Sequence, residues 1–400
     1  ATFPSIAVGW TFSDEKFMKP FYWLSFGKIR ASWGVSGQKF SQRYLSQGLL
    51  SANGTTFHGD IAMFPDIRGG VINKKLSWEE TNQYDLGFDL SFLDYRLRLV
   101  IDYYYRYTKG QLNQISLPGD IYYHQFQWQN GMAISNQGLE LELEADILRH
   151  TAVKWKMKFN ASRNWNRFEK SADGFDFMEQ VIGKPLHQIK VFKTDGFYNS
   201  LDEVPVYYLA NKEVQPLYSG ITAGIYLPGS RRLVDLNGDG RITEDADVYF
   251  AESPLPLAHG GFINQLRWKN FDLNIFFNYS LGRHIVKVYD DVSMTANGSA
   301  KPLFVDVNDV KIWTEAGSKA DYPKSQVYAY LMNQTSGRYD CDIESVSFLR
   351  LKQLTLGYNV GERVLNKLKI SGARIFVTGE NLFLLTNYSG VDPEVVDPYT

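Results

Sequence analysis

The sequence predicts an all-β chain whose antiparallel strands form part of a transmembrane β-barrel. Three observations lead there. Period-two alternation recurs along the chain, aliphatic and aromatic side chains are sorted by height on one strand face, and short connections alternate with long ones. Alternation is clearest from Asn136 to Asn166. Leu139, Leu141, Leu143, Ala145 and Ile147 share one parity there, and Glu140, Glu142, Glu144 and Asp146 the other. After a break, Val153, Trp155, Met157, Phe159 and Ala161 alternate with Lys154, Lys156, Lys158, Asn160 and Ser162. That period marks strands. Folding about His150 would set Asp146 opposite Lys154, Glu144 opposite Lys156 and Glu142 opposite Lys158, all opposite-charge pairs. A one-residue slip would drive these charges among apolar side chains, so the register is well specified. Taken alone, the pair also suits a half-exposed hairpin of a soluble sandwich.

A soluble chain of 400 residues would divide into roughly two or three domains. No Pro/Ser-rich linker, low-complexity run or charge block marks a boundary. Aromatics reach 15%, with 25 Tyr, 26 Phe and 9 Trp, and many fall near the ends of alternating runs, as at membrane interfaces. The formal net charge of −2 gives no reason to expect a nucleic-acid partner. Charged residues, at 22%, interrupt every apolar run well short of the ~18 residues of a membrane helix, so any crossing is made by strands. Cys341 is the only cysteine, which rules out a disulfide within the chain and leaves the redox compartment open. The chain starts in a strand with no basic n-region, which suits a cytoplasmic protein or an internal piece of a longer one.

In order, Phe3–Phe12 alternates first, with Ile6, Val8, Trp10 and Phe12 on one face. Ile29, Ala31, Trp33 and Val35 follow, then a polar segment to about Leu76. Tyr84, Leu86, Phe88, Leu90 and Phe92 lead through a tight turn at Asp94 and Tyr95 into Leu97, Leu99, Ile101, Tyr103, Tyr105 and Tyr107. At ~3.3 Å per residue and a ~45° tilt, Leu97 to Tyr107 climbs ~23 Å, close to the ~25 Å apolar band of an outer-membrane barrel. Aliphatics fill the lower half of that face and tyrosines crown it, a sorting that a soluble sandwich has no reason to make. Phe262–Trp268, a turn at Lys269 and Asn270, and Phe271–Leu281 form the next pair. Ser345–Asn359 and Ala373–Asn387 form the last, with a bulge expected near Gln353, where Arg350 and Lys352 share parity with Leu354 and Leu356. Short connections near Asp94, His150 and Lys269 alternate with long ones at about 37–76, 108–132, 167–258 and 283–342, the asymmetry of bacterial barrels.

Eight phrases in order carry a likeness. They are FPSIAVGWTFSDEKFM (3–18), IRASWGVSGQ (29–38), LSWEETNQYDLGFDLSFLDYRLRLVIDYYYRYTKGQL (76–112), NQGLELELEADI (136–147), DLNGDGRI (235–242), GGFINQLRWKNFDLNIFFNYSLG (260–282), FLRLKQLTLGYNV (348–360) and VTGENLFLLTNYSGVDPEV (377–395). Together they resemble the C-terminal half of SusC/RagA-type TonB-dependent transporters. The resemblance implies an outer-membrane barrel of about 22 strands with a plugged lumen. It further implies energised import of oligosaccharides or peptides, a SusD-like surface lipoprotein as lid, the TonB complex as a partner through an N-terminal segment outside this chain, and contact with membrane lipid and lipopolysaccharide. On this view residues 1–400 are part of one barrel domain, about ten strands with long extracellular loops. The plug and the final strand then lie outside the chain. A non-importing surface barrel and a soluble β-rich carbohydrate-binding protein stay open as alternatives.

DLNGDGRITEDAD (235–247) matches the opening of a calcium loop. Asp235, Asn237 and Asp239 occupy positions one, three and five, Gly240 the sharp turn at six, and Arg241 offers its carbonyl at seven. Position twelve is Ala246, so the bidentate ligand would have to come from Glu244, Asp245 or Asp247. A turn held by its own Asx side chains explains the same residues. No cofactor is required, and a structural calcium is the one candidate. Tyr122, Tyr123, His124, Phe126 and Trp128, with Tyr207, Tyr208, Tyr218 and Tyr226, could stack on sugar rings or peptide side chains, or pack the loops onto themselves. The scattered histidines form no HExxH, no GxSxG surrounds a serine, and catalysis is not expected. Parity predicts Leu99, Ile101, Leu141, Leu143, Trp155, Met157 and Ile275 toward lipid, and Arg98, Glu142, Glu144 and Lys156 toward the lumen. Those charged rows could steer a ligand or the plug, or pair among themselves as ladders.

Overall fold

Alternating segments assemble into one ten-stranded antiparallel sheet in a computed structural model that describes residues 2–39, 50–65, 71–117, 126–176, 180–208, 214–219, 224–286, 311–321, 323–324, 339–390 and 392–394. Its strands are β1 (Ser5–Trp10), β2 (Leu24–Gln38), β3 (Glu79–Phe92), β4 (Leu97–Ser116), β5 (Phe126–Leu148), β6 (Val153–Lys170), β7 (Ala258–Trp268), β8 (Phe271–Leu281), β9 (Phe348–Asn359) and β10 (Arg374–Thr386). Each pairs with its chain neighbours, so every connection is an antiparallel hairpin link. The fold class expected from the sequence is the one observed.

Register carries rows across the whole sheet. Trp10, Ile29, Phe88, Ile101, Leu141, Ala161, Gly260, Tyr279, Leu349 and Leu385 stand side by side on one face. The adjacent row on the opposite face runs Arg30, Gly87, Asp102, Glu140, Ser162 and His259. The apolar face is graded along the strands. Phe88, Ile101 and Leu141 give way to Leu86, Tyr103 and Leu139, then to Tyr84, Tyr105 and Gln137, and finally to Asn82, Tyr107 and Ser135. Tyr84 and Tyr105 lie 6.4 Å apart between ring centroids, and the Tyr103 hydroxyl donates to Gln137 Oε1 at 2.8 Å. Aromatic tips thus meet hydrogen-bonding groups where the aliphatic band ends.

Several expectations are corrected in detail. The central hairpin is offset by two residues: Asp146 faces Lys156, Glu144 faces Lys158 and Glu142 faces Asn160, with a register shift between Asp146 and Leu148. An offset of two preserves both faces, because side chains repeat every second residue. The expected connection 108–132 is mostly strand, since β4 and β5 stay paired as far as Ser116 and Phe126, with irregularities at Lys109–Leu112. β6 likewise runs to Lys170, which moves the start of the next connection. The expected bulge is present: Lys352 drops out of the ladder between Leu351 and Gln353 on both sides of β9. Between β9 and β10 a helix, α1 (Glu362–Leu368), was not expected. It carries Glu362 in its first turn and Lys367 in its last, complementing the helix dipole, and ends on Lys369 in the left-handed conformation.

Contacts group the chain into two units. The first, residues 1–187, 256–282 and 347–387, holds the sheet. The second, residues 188–255, 283–346 and 388–400, comes from the segments that follow β6, β8 and β10. It has a core of its own around Phe192, Tyr198, Val204, Leu217, Tyr226, Leu233 and Ile242, built on short two- and three-stranded pieces.

Candidate functional site

Three places could do chemical work: the charged face of the sheet, the Asx-rich loop of the second unit, and the aromatic side chains of the connections. On the charged face, Arg30 of β2 reaches across β3 to Asp102 of β4 at 2.7 Å while holding Asp89 at 3.2 Å. The crossing depends on Gly87, where a Cβ would meet Arg30 Cζ at 2.6 Å and Asp102 Oδ1 at 2.5 Å. Glu144 takes both Lys156 and Lys158, the latter at 2.9 Å. Here the rows do pair across the wall. A cavity of about 530 Å³ opens on this face at the short-connection end, lined by Asp146, Arg149, Lys154, Lys156, Arg267, Asp272 and Arg374.

In the Asx-rich loop the side chains close upon their own backbone. Gly238 N–H and Gly240 N–H donate to the two Asp235 oxygens at 2.7 and 2.8 Å, Asp239 N–H to Asn237 Oδ1 at 3.0 Å, and Arg241 N–H to Asp239 Oδ1 at 2.8 Å. Gly240 has φ +81°, a backbone that only glycine adopts without strain, and the Tyr207 ring lies over the space a Cβ would need. Asp247, 0% exposed, accepts Leu236 N–H at 2.9 Å and Thr243 N–H at 2.7 Å, so it anchors the loop from behind. Asp245 is exposed. Among the described residues, no group of three or more His, Cys, Asp or Glu is placed to hold a metal. Burial raises the Asp235 carboxyl, but the Gly240 N–H, the Tyr207 hydroxyl and further N–H groups outweigh it and hold it below the usual carboxylate range. The Tyr207 phenol is pushed up to about 12, first by burial and then by its hydrogen bond to Asp235.

The aromatic candidates separate. Phe126 and Trp128 open β5 with rings 6.5 Å apart, tied to residues 71–73 through Phe126 O and Trp128 O. Tyr122, Tyr123 and His124 lie outside the described residues. Tyr207 packs inward on the loop just described, whereas its neighbour Tyr208 is 80% exposed. Successive strand residues point to opposite sides, so only Tyr208 of the two is presented to solvent. Tyr226 is buried beside Tyr198 at 5.5 Å, a core position. The side chain of Tyr218 is outside the described residues. Sequence reasoning missed a cavity of about 800 Å³ in the second unit, lined by Thr194, Tyr249, Glu252, His284, Asp340 and Cys341. Asp340 there accepts the Thr194 N–H at 3.0 Å, and His284 Nδ1 lies 3.7 Å from Glu252. These residues come from segments as far apart as 194 and 341, and no local pattern joins them.

Residues 1–382 match the family described as TonB dependent receptor-like, beta-barrel. The chain belongs to that family. It is 32% identical to TonB-dependent receptor P3 of Formosa agariphila and 28% identical to TonB-dependent receptor SusC of Bacteroides thetaiotaomicron, in each case over 98% of this chain and 38% of the relative. The chain therefore spans well under half the length of these relatives. Among solved structures, the RagAB peptide transporter covers 99% of this chain with a TM-score of 0.73 at 23% identity, which establishes a shared fold. The SusC/RagA likeness read from the eight sequence phrases is borne out.

Proposed function

We propose that residues 1–400 form part of the wall of a TonB-dependent importer in the bacterial outer membrane, which takes up bulky polar nutrients, oligosaccharides or peptides, together with a SusD-like surface lipoprotein. One observation carries this: the sheet has an apolar face that the described residues leave uncovered. Ile6, Val8, Trp10, Leu86, Leu139, Leu349, Leu356, Val377, Phe383 and Leu385 are all exposed on it. A contiguous apolar surface of that extent requires lipid or another protein against it. The graded rows, aliphatic and then aromatic, favour lipid. The opposite face, with its charged ladders, then lines the interior. The ends that carry the long connections after β2, β6 and β8 would face outward, and residues of those connections would offer a lipoprotein lid its surface. The SusC and RagAB relatives support this assignment.

Calcium in the 235–247 loop is proposed as an accessory ion, held by Asp235, Asn237, Asp239 and the Arg241 carbonyl, with Asp245 or water completing the shell. Each Asx oxygen keeps a lone pair after accepting its backbone N–H. Chelator should then increase protease cleavage within 235–247, and unchanged cleavage would remove the ion from the account.

The import proposal is tested by deleting the gene in its host and measuring growth on defined oligosaccharides and peptides, with pull-down of the tagged barrel from native membranes. Expected are loss of growth on one substrate class and recovery of a surface lipoprotein. Release of the protein into buffer without detergent would overturn the assignment.

A further inference from the structure

The helix α1 takes no part in the charged ladders, the Asx-rich loop or the lining of either cavity. Its sequence sets Val364 and Leu368 four residues apart on one stripe, and Arg363 and Lys367 on the stripe beside it. The apolar stripe is uncovered: Val364 is 50% exposed and Leu368 62%, and Ile370, just past the helix, is exposed as well. Among the described residues, Arg363, Lys367 and Lys369 make no ion pair within 4.0 Å. The helix also continues the apolar face of the sheet. At the short-connection end that face finishes in a row of Trp268, Phe271, Tyr358 and Ile375, in register across β7, β8, β9 and β10. Ring centroids lie 6.4 Å apart for Trp268 and Phe271 and 4.9 Å for Phe271 and Tyr358, and all four side chains are exposed. Lys269, in the β7–β8 turn, holds its ammonium 5.0 Å from the Trp268 ring centroid. That turn is fastened to the root of the helix: Asn359 N–H donates to Asn270 O at 2.8 Å, and Asn270 Nδ2 to Asn359 O at 2.9 Å. Val360 N–H then donates to Ala373 O at 2.9 Å, so α1 emerges directly beyond the aromatic row.

We propose that α1 is an interfacial anchor, laid in the headgroup layer beside the aromatic row, and that its partner is anionic phospholipid. In that layer Val364, Leu368 and Ile370 enter the acyl boundary, while Lys269, Arg363, Lys367 and Lys369 reach up to phosphate. The charge balance fits such a partner, because between Val360 and Ala373 the only acidic residue is Glu362. Water alone would leave the apolar stripe bare. An apolar protein surface would strip the cations of water and give them no counter-charge. Anionic headgroups over acyl chains meet both needs. Since the long connections face outward, the leaflet concerned is the inner one. The proposal rests on the reading of the apolar face as lipid-facing, and adds to it a depth for α1 and a preference among lipids.

The test uses the full-length protein with Cys341→Ser, carrying a fluorophore on Leu368→Cys or, separately, on Leu141→Cys. Each is inserted into vesicles of phosphatidylcholine, with or without phosphatidylglycerol, that contain lipid quenchers placed at the headgroup or deep in the acyl chain. At Leu368 the headgroup quencher should act more strongly than the deep one, and at Leu141 the order should be reversed. Omitting phosphatidylglycerol should make quenching at Leu368 roughly twofold weaker, and Lys269→Gln/Arg363→Gln/Lys367→Gln/Lys369→Gln should do the same in the mixed vesicles. The variant with Lys367→Arg and Lys369→Arg should match the wild type. Quenching at Leu141 in every variant shows that the wall has inserted, so a loss at Leu368 cannot be mistaken for misfolding. Quenching at Leu141 but not at Leu368 would place α1 in water or under protein and overturn the anchor while the wall stands. Quenching at neither would overturn the lipid-facing wall and the anchor together. Equal quenching at Leu368 with and without phosphatidylglycerol would overturn the anionic partner.

Discussion

Gly87 illustrates how a single position decides whether charges on three strands meet. Arg30 spans to Asp102 only because nothing projects from β3 between them. A valine there should displace the guanidinium and cost about 1–3 kcal/mol, the usual range for overpacking. The pair itself is partly exposed and contributes about 0–1 kcal/mol, so removal of Asp102 should matter little once Gly87→Val is present. A double-mutant cycle by urea unfolding checks this, with near-additive losses as the contrary result. The Asx loop offers a residue-scale prediction in pH. Asp235 is depressed when folded, so its contribution is present above the unfolded carboxylate value of about 3.9 and is lost as pH falls through the folded value. Tyr207 is raised, so its contribution is complete below about 10 and is lost as pH rises toward about 12. Proteolysis within 235–247 should therefore increase at both extremes, and Tyr207→Phe should abolish the alkaline arm while keeping the acid one. A flat alkaline response in the wild type would count against the Tyr207–Asp235 link.

At the scale of elements, the strands were legible because alternation at period two is local and survives errors of two residues. The β5–β6 hairpin shows both sides of this. Its faces were legible, yet its register was not, because the irregularity between Asp146 and Leu148 depends on how the turn closes. Polar Gln, Asn and Thr residues at 108–116 and 126–132 concealed the outer part of β4 and β5, which pair beyond the apolar band. The helix α1 is too short to display a helical period, and its local signals are confined to its ends, the caps Gly361 and Lys369 and the charges Glu362 and Lys367. The core of the second unit, which joins Phe192 to Ile242, and the cavity on the charged face, which joins Arg149 to Arg374, are assembled by long-range contacts that no window of sequence contains. The face assignment itself is testable. Leu141 lies mid-row between Ile101 and Ala161, and Glu142 lies between Val100 and Asn160 on the opposite face. If the apolar face meets lipid, Leu141→Lys should cost about 2–4 kcal/mol in lipid bilayers, and Glu142→Lys about 1 kcal/mol or less. Equal penalties in folding titrations into lipid vesicles would mean that the two faces see the same surroundings.

At the scale of the molecule, the sheet ends in two edges. β1 pairs only with β2 and β10 only with β9 among the described residues, and the two do not pair with each other. Both are exposed along nearly their whole length, with Val8 at 63% and Val377 at 73%. Unpaired backbone groups on such an edge cost several kcal/mol each in hydrocarbon, where water cannot take the place of a partner strand. A transmembrane sheet must therefore close or be completed. Closure within this chain would make a ring of ten strands, whose interior is little wider than its own side chains. Completion by strands outside residues 1–400 would leave room for a bulky solute. The second outcome is predicted. In full-length protein, the amides of Ser5–Trp10 and Arg374–Thr386 should be protected from hydrogen exchange as strongly as those of β4 and β5, because each edge has gained a partner. Cysteines placed at Ala7 and Val377 should not form a disulfide with each other, since their strands would be separated by the rest of the wall. If that disulfide forms in high yield, β1 and β10 are neighbours, the ring closes at ten strands, and the import of bulky nutrients through this wall fails with it.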